Sequence, residues 1–207
     1  MQSNYIPNID LADIINKDLN SDAAVQVSNN IKKASEEIGF FTVINHGIPI
    51  SKIDNLLKTC KKFFYLNEEE KLKIAPKKWN PNTNTVYRGY FPSSVNGKEG
   101  LDIGDPLLKQ DMVDLLKKEK FEVNHDMSFL DPDWQITINN YFDDLHNLGI
   151  TIFKSIISSF SSDLSLAEKA FQRPKTLSTL RFNYLSLIHI SEPTRRRGIS
   201  YAVFCLK

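Results

Sequence analysis

The chain has 207 residues and nearly balanced charge, with 26 basic residues, 25 acidic residues and a net charge of +1. This balance excludes the broad electrostatic footprint of a nucleic-acid-binding protein, and no run of about 18 apolar residues is present to form an ordinary membrane span. The first residues lack the basic and apolar regions of a secretory signal peptide. Two cysteines, Cys60 and Cys205, do not make a disulfide framework, so we expect a cytoplasmic protein.

The first part of the chain predicts a strand, a helix and a second strand. Ile6–Leu11 alternates apolar and polar residues, as a short strand does. A helix is predicted over Asp22–Ile38, because apolar residues recur at spacings of three and four. Ser21 is placed to cap this helix and Gly39 to end it. Phe40–Asn45 is β-branched and aromatic, which predicts a buried strand.

Two shorter helices and a loop region come next. Ser51 is predicted to cap the first of these helices. The residues predicted to face inward from it are Ile53, Leu56, Leu57, Cys60 and Phe64. Asn67 followed by three glutamates predicts the second, since acidic side chains favour the positive end of the helix dipole. Pro76 ends it, and residues 76–100 predict a loop with a more ordered segment at Val86–Phe91.

The strongest helical pattern runs over Asp133–Phe160, where apolar residues keep helical spacing for seven turns. We expect so long a helix to need a sheet beneath it, and the residues up to Tyr184 predict too few strands for that. A short helix at Ser165–Phe171 and a strand at Ser178–Tyr184 follow. Strand, helix, strand, helices, long helix and strand together predict an α+β fold.

The final segment, residues 185–207, resembles the conceptual translation of a transposon-type sequencing adapter. Leu185–Arg195 and Ile199–Leu206 match its fixed codons in order, and the three residues between them have the length that a sample index requires. We therefore expect the segment to be an artefact and exclude it, with Cys205 and His189, from reasoning about sites. The remaining chain has 22 basic and 24 acidic residues.

Several segments, taken in order, resemble the non-haem dioxygenase family that contains isopenicillin N synthase and the plant-type 2-oxoglutarate oxygenases. They are IPNIDL (6–11), IKKASEEIGFFTVINHGIP (31–49), FFYLNEEEKLKI (63–74), VYRGYFP (86–92), GLDIGDP (100–106) and STLRFNY (178–184). The resemblance implies a double-stranded β-helix (jelly-roll) oxygenase with its core truncated. Residues 5–125 would be the N-terminal region, and 126–184 the long helix and first strand leading into that core.

The resemblance also implies Fe(II) held by two histidines and one aspartate in an H-x-D…H arrangement, with positions left open for oxygen and a co-substrate. The chain contains no H-x-D and no R-x-S motif, and His125 is followed directly by Asp126. We therefore assign no catalytic residue and no metal ligand. Fe(II) and 2-oxoglutarate are expected in the complete protein, and neither is expected to bind this chain.

Four residues match family positions near the active site. Arg88 and Tyr90 are the substrate-binding candidates, because their segment borders the active-site mouth in synthase-like members. Arg181 and Asn183 are the cofactor-binding candidates, on the strand that precedes the iron motif. The structural alternatives are a salt bridge that fixes the loop for Arg88, core packing for Tyr90 and bonding within the strand for Asn183.

The remaining histidines and Cys60 are predicted to have structural roles. His46 lies in a turn, His146 lies half-buried on the long helix, and His125 lies exposed in a polar stretch. Cys60 is expected to be a small buried hydrophobe, because no neighbouring group is placed to activate its thiol.

The functional expectation is a parent gene that encodes an Fe(II)- and 2-oxoglutarate-dependent oxidoreductase acting on a small molecule, by hydroxylation, desaturation or ring closure. The truncated chain itself is expected to be inactive. We expect no nucleic-acid or membrane partner, and the oligomeric state is open. The alternatives are an isopenicillin N synthase-type oxidase that uses no 2-oxoglutarate, and a non-catalytic scaffold or binding module.

The tail hypothesis predicts that residues 185–207 are absent from the natural gene product. Amplification of uncloned genomic DNA across codon 184 should give a continuation of the tyrosine-proline type found in the family. Recovery of the LSLIHISEPTR coding sequence from that DNA would contradict the hypothesis.

Overall fold

A computed structural model describes residues 6–15, 18–92, 98–116, 122–161 and 163–185. The elements in these ranges are β1 (Asn8–Asp10), α1 (Asp22–Glu37), β2 (Thr42–Ile44), α2 (Ile50–Phe64), α3 (Glu68–Leu72), β3 (Gly89–Phe91), β4 (Glu99–Gly104), α4 (Gln110–Leu116), α5 (Pro132–Ser158), α6 (Ser165–Ala170) and β5 (Thr179–Tyr184). The predicted α+β class is confirmed. The chain forms two compact units, a first of residues 1–53 and 143–172 and a second of residues 54–142 and 173–207.

The first unit is built on the parallel pair β1 and β2, in which Ile9 lies opposite Val43. The predicted start of α1 and its two end signals are confirmed: Ser21 Oγ accepts a hydrogen bond from the Ala24 amide (3.3 Å), and Gly39 follows the helix with φ +80°. The buried residues of this core are Ile9, Leu11, Ile14, Ala24, Val27, Ile31 and Ala34. Helix α1 thus covers the strand pair with one apolar face.

Helix α5 adds a second layer to the same core. Its residues Leu148, Ile152 and Ile156 pack against the cluster formed by α1 and β1. Between the two helices the Ser28 and Ser155 hydroxyls are 2.7 Å apart, and Ser28 Oγ also donates to the Ala24 carbonyl at 3.0 Å. Small hydroxyl side chains let the helices approach closely, and these buried oxygens are hydrogen-bonded as burial requires.

Several expectations for this part of the chain were wrong. The strand β2 is not buried, since Phe40 just before it is 69% exposed and Ile44 is 43% exposed. Ile38 is also exposed, because α1 ends one residue earlier, at Glu37. Helix α2 begins at Ile50, so Ser51 lies inside its first turn. On that helix Leu57 is exposed, while Leu56, Cys60 and Phe64 are buried as predicted.

The second unit contains an antiparallel sheet of order β3-β4-β5, in which β4 is the central strand. The predicted strand β5 is confirmed, whereas β4 and α4 were not anticipated from the sequence. Rings from α2 cover one side of this sheet: Phe63 meets Tyr90 edge-on (5.8 Å), and Phe64 stacks on Tyr184 (5.2 Å). Trp134 at the start of α5 approaches Phe63 at 6.3 Å.

Gly89 opens β3 at a point where a side chain would collide with the backbone. Its φ is +102°, and a Cβ there would lie 1.8 Å from the Ile74 carbonyl oxygen. The next residue, Tyr90, donates its amide to that same oxygen at 3.0 Å. Glycine therefore allows β3 to dock on the segment that follows α3.

The apolar stripe of α5 is better covered than the sequence suggested. Trp134, Ile138 and Leu145 are buried. The other predicted stripe residues within the helix are partly buried, namely Tyr141, Leu148, Ile152 and Ile156, and Phe160, beyond the end of the helix, is exposed. The expectation of a stripe without cover was therefore wrong for the described residues. Within the same ranges, no helix has both the length and the apolar character needed to cross a membrane. The tail beyond residue 185 lies outside the described residues, and the predicted boundary at residue 125 stays a prediction.

The two serines at helix starts give a matched pair for a stability prediction. Replacing Ser21 by Ala should lower the free energy of unfolding by about 1 kcal/mol, because α1 loses the side-chain acceptor for the Ala24 amide. Replacing Ser51 by Ala, inside the first turn of α2, should change it by less than about 0.5 kcal/mol. Urea unfolding of both variants measures the difference, and an equal loss at Ser51 would contradict the helix limits given above.

Candidate functional site

The sheet of the second unit has two sides of different character, because residues directly opposite each other in antiparallel strands point the same way. Asp102 lies opposite Arg181, and Gly100 lies opposite Asn183. We call the side that carries Asp102, Thr179, Arg181 and Asn183 the polar face. The other side carries Tyr90, Leu101, Ile103 and Leu180, which are all buried.

A buried carboxylate, Asp102, lies at the centre of the polar face and is only 2% exposed. The Arg181 guanidinium grips it with two hydrogen bonds, Nε to Oδ1 at 2.6 Å and Nη2 to Oδ2. The Arg181 side chain is 57% exposed and its guanidinium lies 6.0 Å from the centre of the Phe91 ring. Because the two-point contact fixes the guanidinium plane, Arg181 presents its outer edge in a defined direction.

Arg88 reaches the polar face from the start of β3 and is almost fully buried. It donates Nη1 to Thr179 Oγ1 and Nη2 to the Ser178 carbonyl (3.3 Å), while its Nε has no partner among the described residues. Burial lowers the Arg88 pKa, and the negative charges of Asp102 and Glu122 oppose that shift. Arg88 therefore holds the start of β5, and its substrate-binding role stays a prediction.

The room that Arg88 needs is provided by Gly104. A Cβ at this position would lie 2.7 Å from Arg88 Nε and 3.2 Å from Cζ, which is closer than side chains approach one another. Any larger residue at position 104 would therefore push the guanidinium away from Thr179.

Residues 122–125 fasten the segment before β3 through their side chains. Glu122 accepts the amides of Val86 and Tyr87, each at 2.8 Å, and His125 Nε2 lies 3.2 Å from the Arg88 carbonyl oxygen. Asn124 bonds both the amide (2.6 Å) and the carbonyl (3.0 Å) of Gly104. The sequence shows no periodic pattern here, so these contacts were missed. The expectation that His125 is exposed was wrong: it is half-buried, and burial lowers its pKa.

Tyr90, the second substrate-binding candidate, lies on the opposite side of the sheet. Its hydroxyl donates to Glu99 Oε2 at 2.7 Å, and Lys71 Nζ bonds the same oxygen at 2.6 Å. Burial, reinforced by the Glu99 hydrogen bond, raises the Tyr90 pKa well above its usual value. This geometry matches the packing alternative, and the binding role of Tyr90 stays a prediction.

A shallow cavity of about 170 Å³ opens where the polar face meets the loop region. It is lined by Trp79, Phe91, Pro92, Lys98, Gly100, Arg181 and Asn183. Both cofactor-binding candidates therefore lie at one opening, with Arg88 behind them at the start of β5. Trp79, Phe91 and Lys98 were missed by the sequence analysis, because they come together only when β3 and β4 pair.

The residues that could ligate iron are not assembled in the described ranges. Within these ranges no group of three His, Cys, Asp or Glu side chains is arranged to hold a metal ion. His46 has a structural role in its turn, as predicted: its Nδ1 accepts a hydrogen bond from the Ile48 amide at 3.2 Å. Cys60 is buried as predicted, and burial raises the pKa of its thiol. These residues do not fit a site of two histidines and one carboxylate.

Comparison with known proteins identifies relatives for most of the chain. A family model described as the N-terminal region of a non-haem dioxygenase in morphine synthesis matches residues 6–136. Azadirone synthase of Melia azedarach is 27% identical over 201 residues, which cover 88% of this chain and 53% of the relative. Isopenicillin N synthase of Amycolatopsis lactamdurans is 24% identical over 196 residues, covering 89% and 57%. The chain thus spans about half the length of these curated relatives.

Solved structures share the fold at low sequence identity. A 2OG-Fe(II) oxygenase family protein of Caulobacter crescentus superposes with a TM-score of 0.67 at 17% identity, covering 86% of this chain and 55% of that one. A rice dioxygenase for auxin oxidation gives a TM-score of 0.59 at 18% identity, covering 86% and 51%. At these identities the similarity shows a common fold with the two oxygenases.

The ion pair beneath the sheet gives a stability prediction with an internal control. Replacing Glu99 by Gln should lower the free energy of unfolding by about 3–5 kcal/mol, because the nearly buried Lys71 ammonium loses its carboxylate. Replacing Glu168 by Gln removes the exposed pair with Lys154 and should cost at most about 1 kcal/mol. Urea unfolding of the two variants makes the comparison, and equal losses would show that the Lys71 pair is effectively solvated.

Proposed function

The chain belongs to the non-haem dioxygenase N-terminal family, and we propose that the complete protein is an Fe(II)- and 2-oxoglutarate-dependent oxidoreductase acting on a small molecule. The proposed reaction is a hydroxylation, a desaturation or a ring closure. The curated relatives and the fold shared with 2-oxoglutarate- and Fe(II)-dependent oxygenases support this proposal. The activity is proposed for the complete protein and not for the chain of 207 residues.

The observation that carries the proposal is the assembly of three of the four candidate residues on the polar face. Arg181 and Asn183 line one cavity, and Arg88 holds the start of their strand. Guanidinium and amide groups at one opening suit a ligand that carries a carboxylate. We therefore propose that Arg181 and Asn183 contact the carboxylate-bearing ligands of the reaction, 2-oxoglutarate among them.

In this arrangement Arg88 and Tyr90 would affect ligand binding indirectly, because they fix the strands next to the cavity. Arg88 fixes β5 through Thr179, and Tyr90 supports β3 from the side of the sheet opposite the cavity. Both are positioning residues in this proposal, since Arg88 Nη1 and Nη2 and the Tyr90 hydroxyl bond protein groups and neither residue lines the cavity.

Iron and 2-oxoglutarate, when bound, supply the oxidising power for oxygen chemistry that amino-acid side chains lack. The iron ligands of the family have no counterpart in this sequence, so we propose that they lie in a part of the protein that this chain does not contain. The residues described here would bind and orient the organic ligands at one wall of the site.

One other activity has a specific observation in its favour. The match to isopenicillin N synthase extends over 89% of this chain. The resemblance to that synthase implies an oxidase that uses no 2-oxoglutarate. The proposed roles of Arg181 and Asn183 would then concern the substrate alone.

The proposal predicts a difference between the 207-residue chain and the product of the full reading frame. After anaerobic reconstitution the full product should hold one Fe(II) per chain, consume oxygen and form succinate from 2-oxoglutarate. The short chain should do none of the three, because its described residues offer no ligand set of two histidines and one carboxylate. Metal analysis, an oxygen electrode and succinate quantification on the two proteins measure this.

Two variants of the full product sharpen the test. Replacing Asn183 by Ala should lower kcat/KM about tenfold by removing one hydrogen bond to a charged ligand. Replacing Lys58 by Gln, on the exposed side of α2, should leave kcat/KM unchanged. Oxygen consumption without succinate would favour the isopenicillin N synthase-type oxidase, and neither iron nor turnover in the full product would favour a binding scaffold. Stoichiometric iron in the short chain would overturn the proposal that the iron ligands lie outside this chain.

A further inference from the structure

We infer that Asp102 is a positioning residue for the proposed site, because it holds Arg181 in one orientation before any ligand binds. The inference rests on the proposed function, which gives Arg181 and Asn183 the contacts with carboxylate-bearing ligands. Asp102 touches no ligand in this arrangement and acts through the guanidinium that it binds. Its burial, its hydrogen bonds and its place between two arginines support the inference.

Asp102 lies on the central strand of the sheet, with an arginine on each side. In register it is opposite Gly89 of β3 and opposite Arg181 of β5, and Arg88 immediately precedes Gly89. Burial lowers the Arg88 pKa, the Asp102 charge is the strongest of the effects that oppose this shift, and the Arg181 charge adds to it. The two guanidiniums therefore repel each other, and the carboxylate on the strand between them offsets that repulsion.

Of the two arginines, Arg181 is the one that can change its orientation. Arg88 is almost fully buried, donates to Thr179 and is confined by the close approach of Gly104. The Arg181 side chain is 57% exposed. If the Asp102 charge were lost, Arg181 could turn away from the sheet while Arg88 stayed in place.

The loss of this charge would have two opposite effects on an anionic ligand. It would raise the local positive charge, which by itself strengthens the attraction for a carboxylate. It would also weaken the hydrogen bonds that fix the Arg181 guanidinium, from Nε to Asp102 Oδ1 at 2.6 Å and from Nη2 to Oδ2, so the ligand would have to order this side chain itself. We expect the second effect to be larger, because water screens the added charge whereas the two-point contact defines a direction. The sign of the change therefore separates a positioning role from a purely electrostatic one.

Asp105 provides a matched control, since it is a second buried carboxylate that binds an arginine through two hydrogen bonds. It is 3% exposed, and Arg173 donates Nε to Oδ2 and Nη2 to Oδ1, each at 2.7 Å. The Arg173 guanidinium packs over the Phe142 ring at 5.2 Å and does not line the cavity of the polar face. Asp105→Asn should therefore destabilise the fold as Asp102→Asn does, without affecting the proposed ligand contacts.

The test measures the KM for 2-oxoglutarate, kcat and the urea midpoint of the full product and its variants. Asp102→Asn should raise the KM about three- to tenfold and change kcat by less than about twofold, because it weakens a binding contact and leaves the oxidation step untouched. Asp105→Asn should keep the KM within about twofold at a comparable loss of stability. An unchanged or lower KM in Asp102→Asn would overturn the inference.

Arg181→Lys completes a double-mutant cycle. Lysine keeps the charge but lacks the planar fork, so this variant should itself raise the KM. Asp102→Asn in the Arg181→Lys background should then change the KM by less than about twofold, because the orientation that Asp102 controls is already lost. An equally large effect of Asp102→Asn in both backgrounds would show that Asp102 acts independently of Arg181, against the inference.

A measurement on the unchanged protein covers the case in which Asp102→Asn does not fold. The Arg181 Nε–H should give a slowly exchanging signal in nitrogen NMR without ligand, because it is bonded to Asp102, and the signal should vanish in Arg181→Lys. If the signal appears only after 2-oxoglutarate is added, the ligand orders Arg181 and the inference is wrong.

The outcomes separate the inference from the proposed function. If the full product holds iron and forms succinate while Asp102→Asn leaves the KM unchanged, only the inference fails. If the full product does neither, the proposed function fails whatever the NMR result. The NMR measurement needs neither iron nor turnover, and it applies to the 207-residue chain as well.

Discussion

The buried carboxylate of Asp102 imposes the constraint on which the sheet of the second unit depends. A charge that is 2% exposed must be neutralised, and the Arg181 fork supplies both hydrogen bonds from the neighbouring strand. Arg88 lies near enough for the same carboxylate to oppose the loss of its own charge on burial. One side chain in the central strand thereby favours the register of β5 and the position of the segment that leads into β3.

A second, largely buried carboxylate contacts the opposite side of the same sheet. Glu99, at the start of β4, binds Lys71 and the Tyr90 hydroxyl, which tie the strand to α3 and to β3. With a carboxylate contact on each side, β4 cannot slide by one residue without burying an unpaired charge. The same register fixes the relative positions of three residues that line the cavity. Phe91, Gly100 and Asn183 are successive neighbours across the three strands.

The sequence predicts those parts of the molecule that local pattern controls. Helix α1 shows its apolar spacing, its Ser21 cap and its terminal glycine, and β5 alternates clearly. Strand β4 escaped prediction because glycines interrupt its apolar residues, and its partners lie about ten residues before it and about eighty after it. Ser51 shows that a capping residue type alone does not locate a helix start, since the first turn of α2 already includes Ile50.

The candidate site was predictable only in part, for the same physical reason. The family resemblance identified Arg88, Arg181 and Asn183 as candidates. It does not say which groups form hydrogen bonds or ion pairs with them. Asp102 and the Trp79–Phe91 pair become part of the site through strand pairing, which no local pattern encodes. Arg88 reaches the polar face, whereas Tyr90, two residues later, lies on the other side of the sheet. Gly89, at φ +102°, turns the chain between them.

The contacts of Glu122 and His125 have a consequence for how the protein meets copies of itself. Strand β3 lies at an edge of its three-stranded sheet, and edge backbone groups are templates for pairing with another chain. Just before that edge, the Glu122 carboxylate occupies the amides of Val86 and Tyr87, and His125 occupies the Arg88 carbonyl. These side chains satisfy the backbone groups that a neighbouring strand would otherwise bind, and they offer no edge of their own. Three polar contacts thus protect the segment that precedes β3 from pairing with a strand of another molecule.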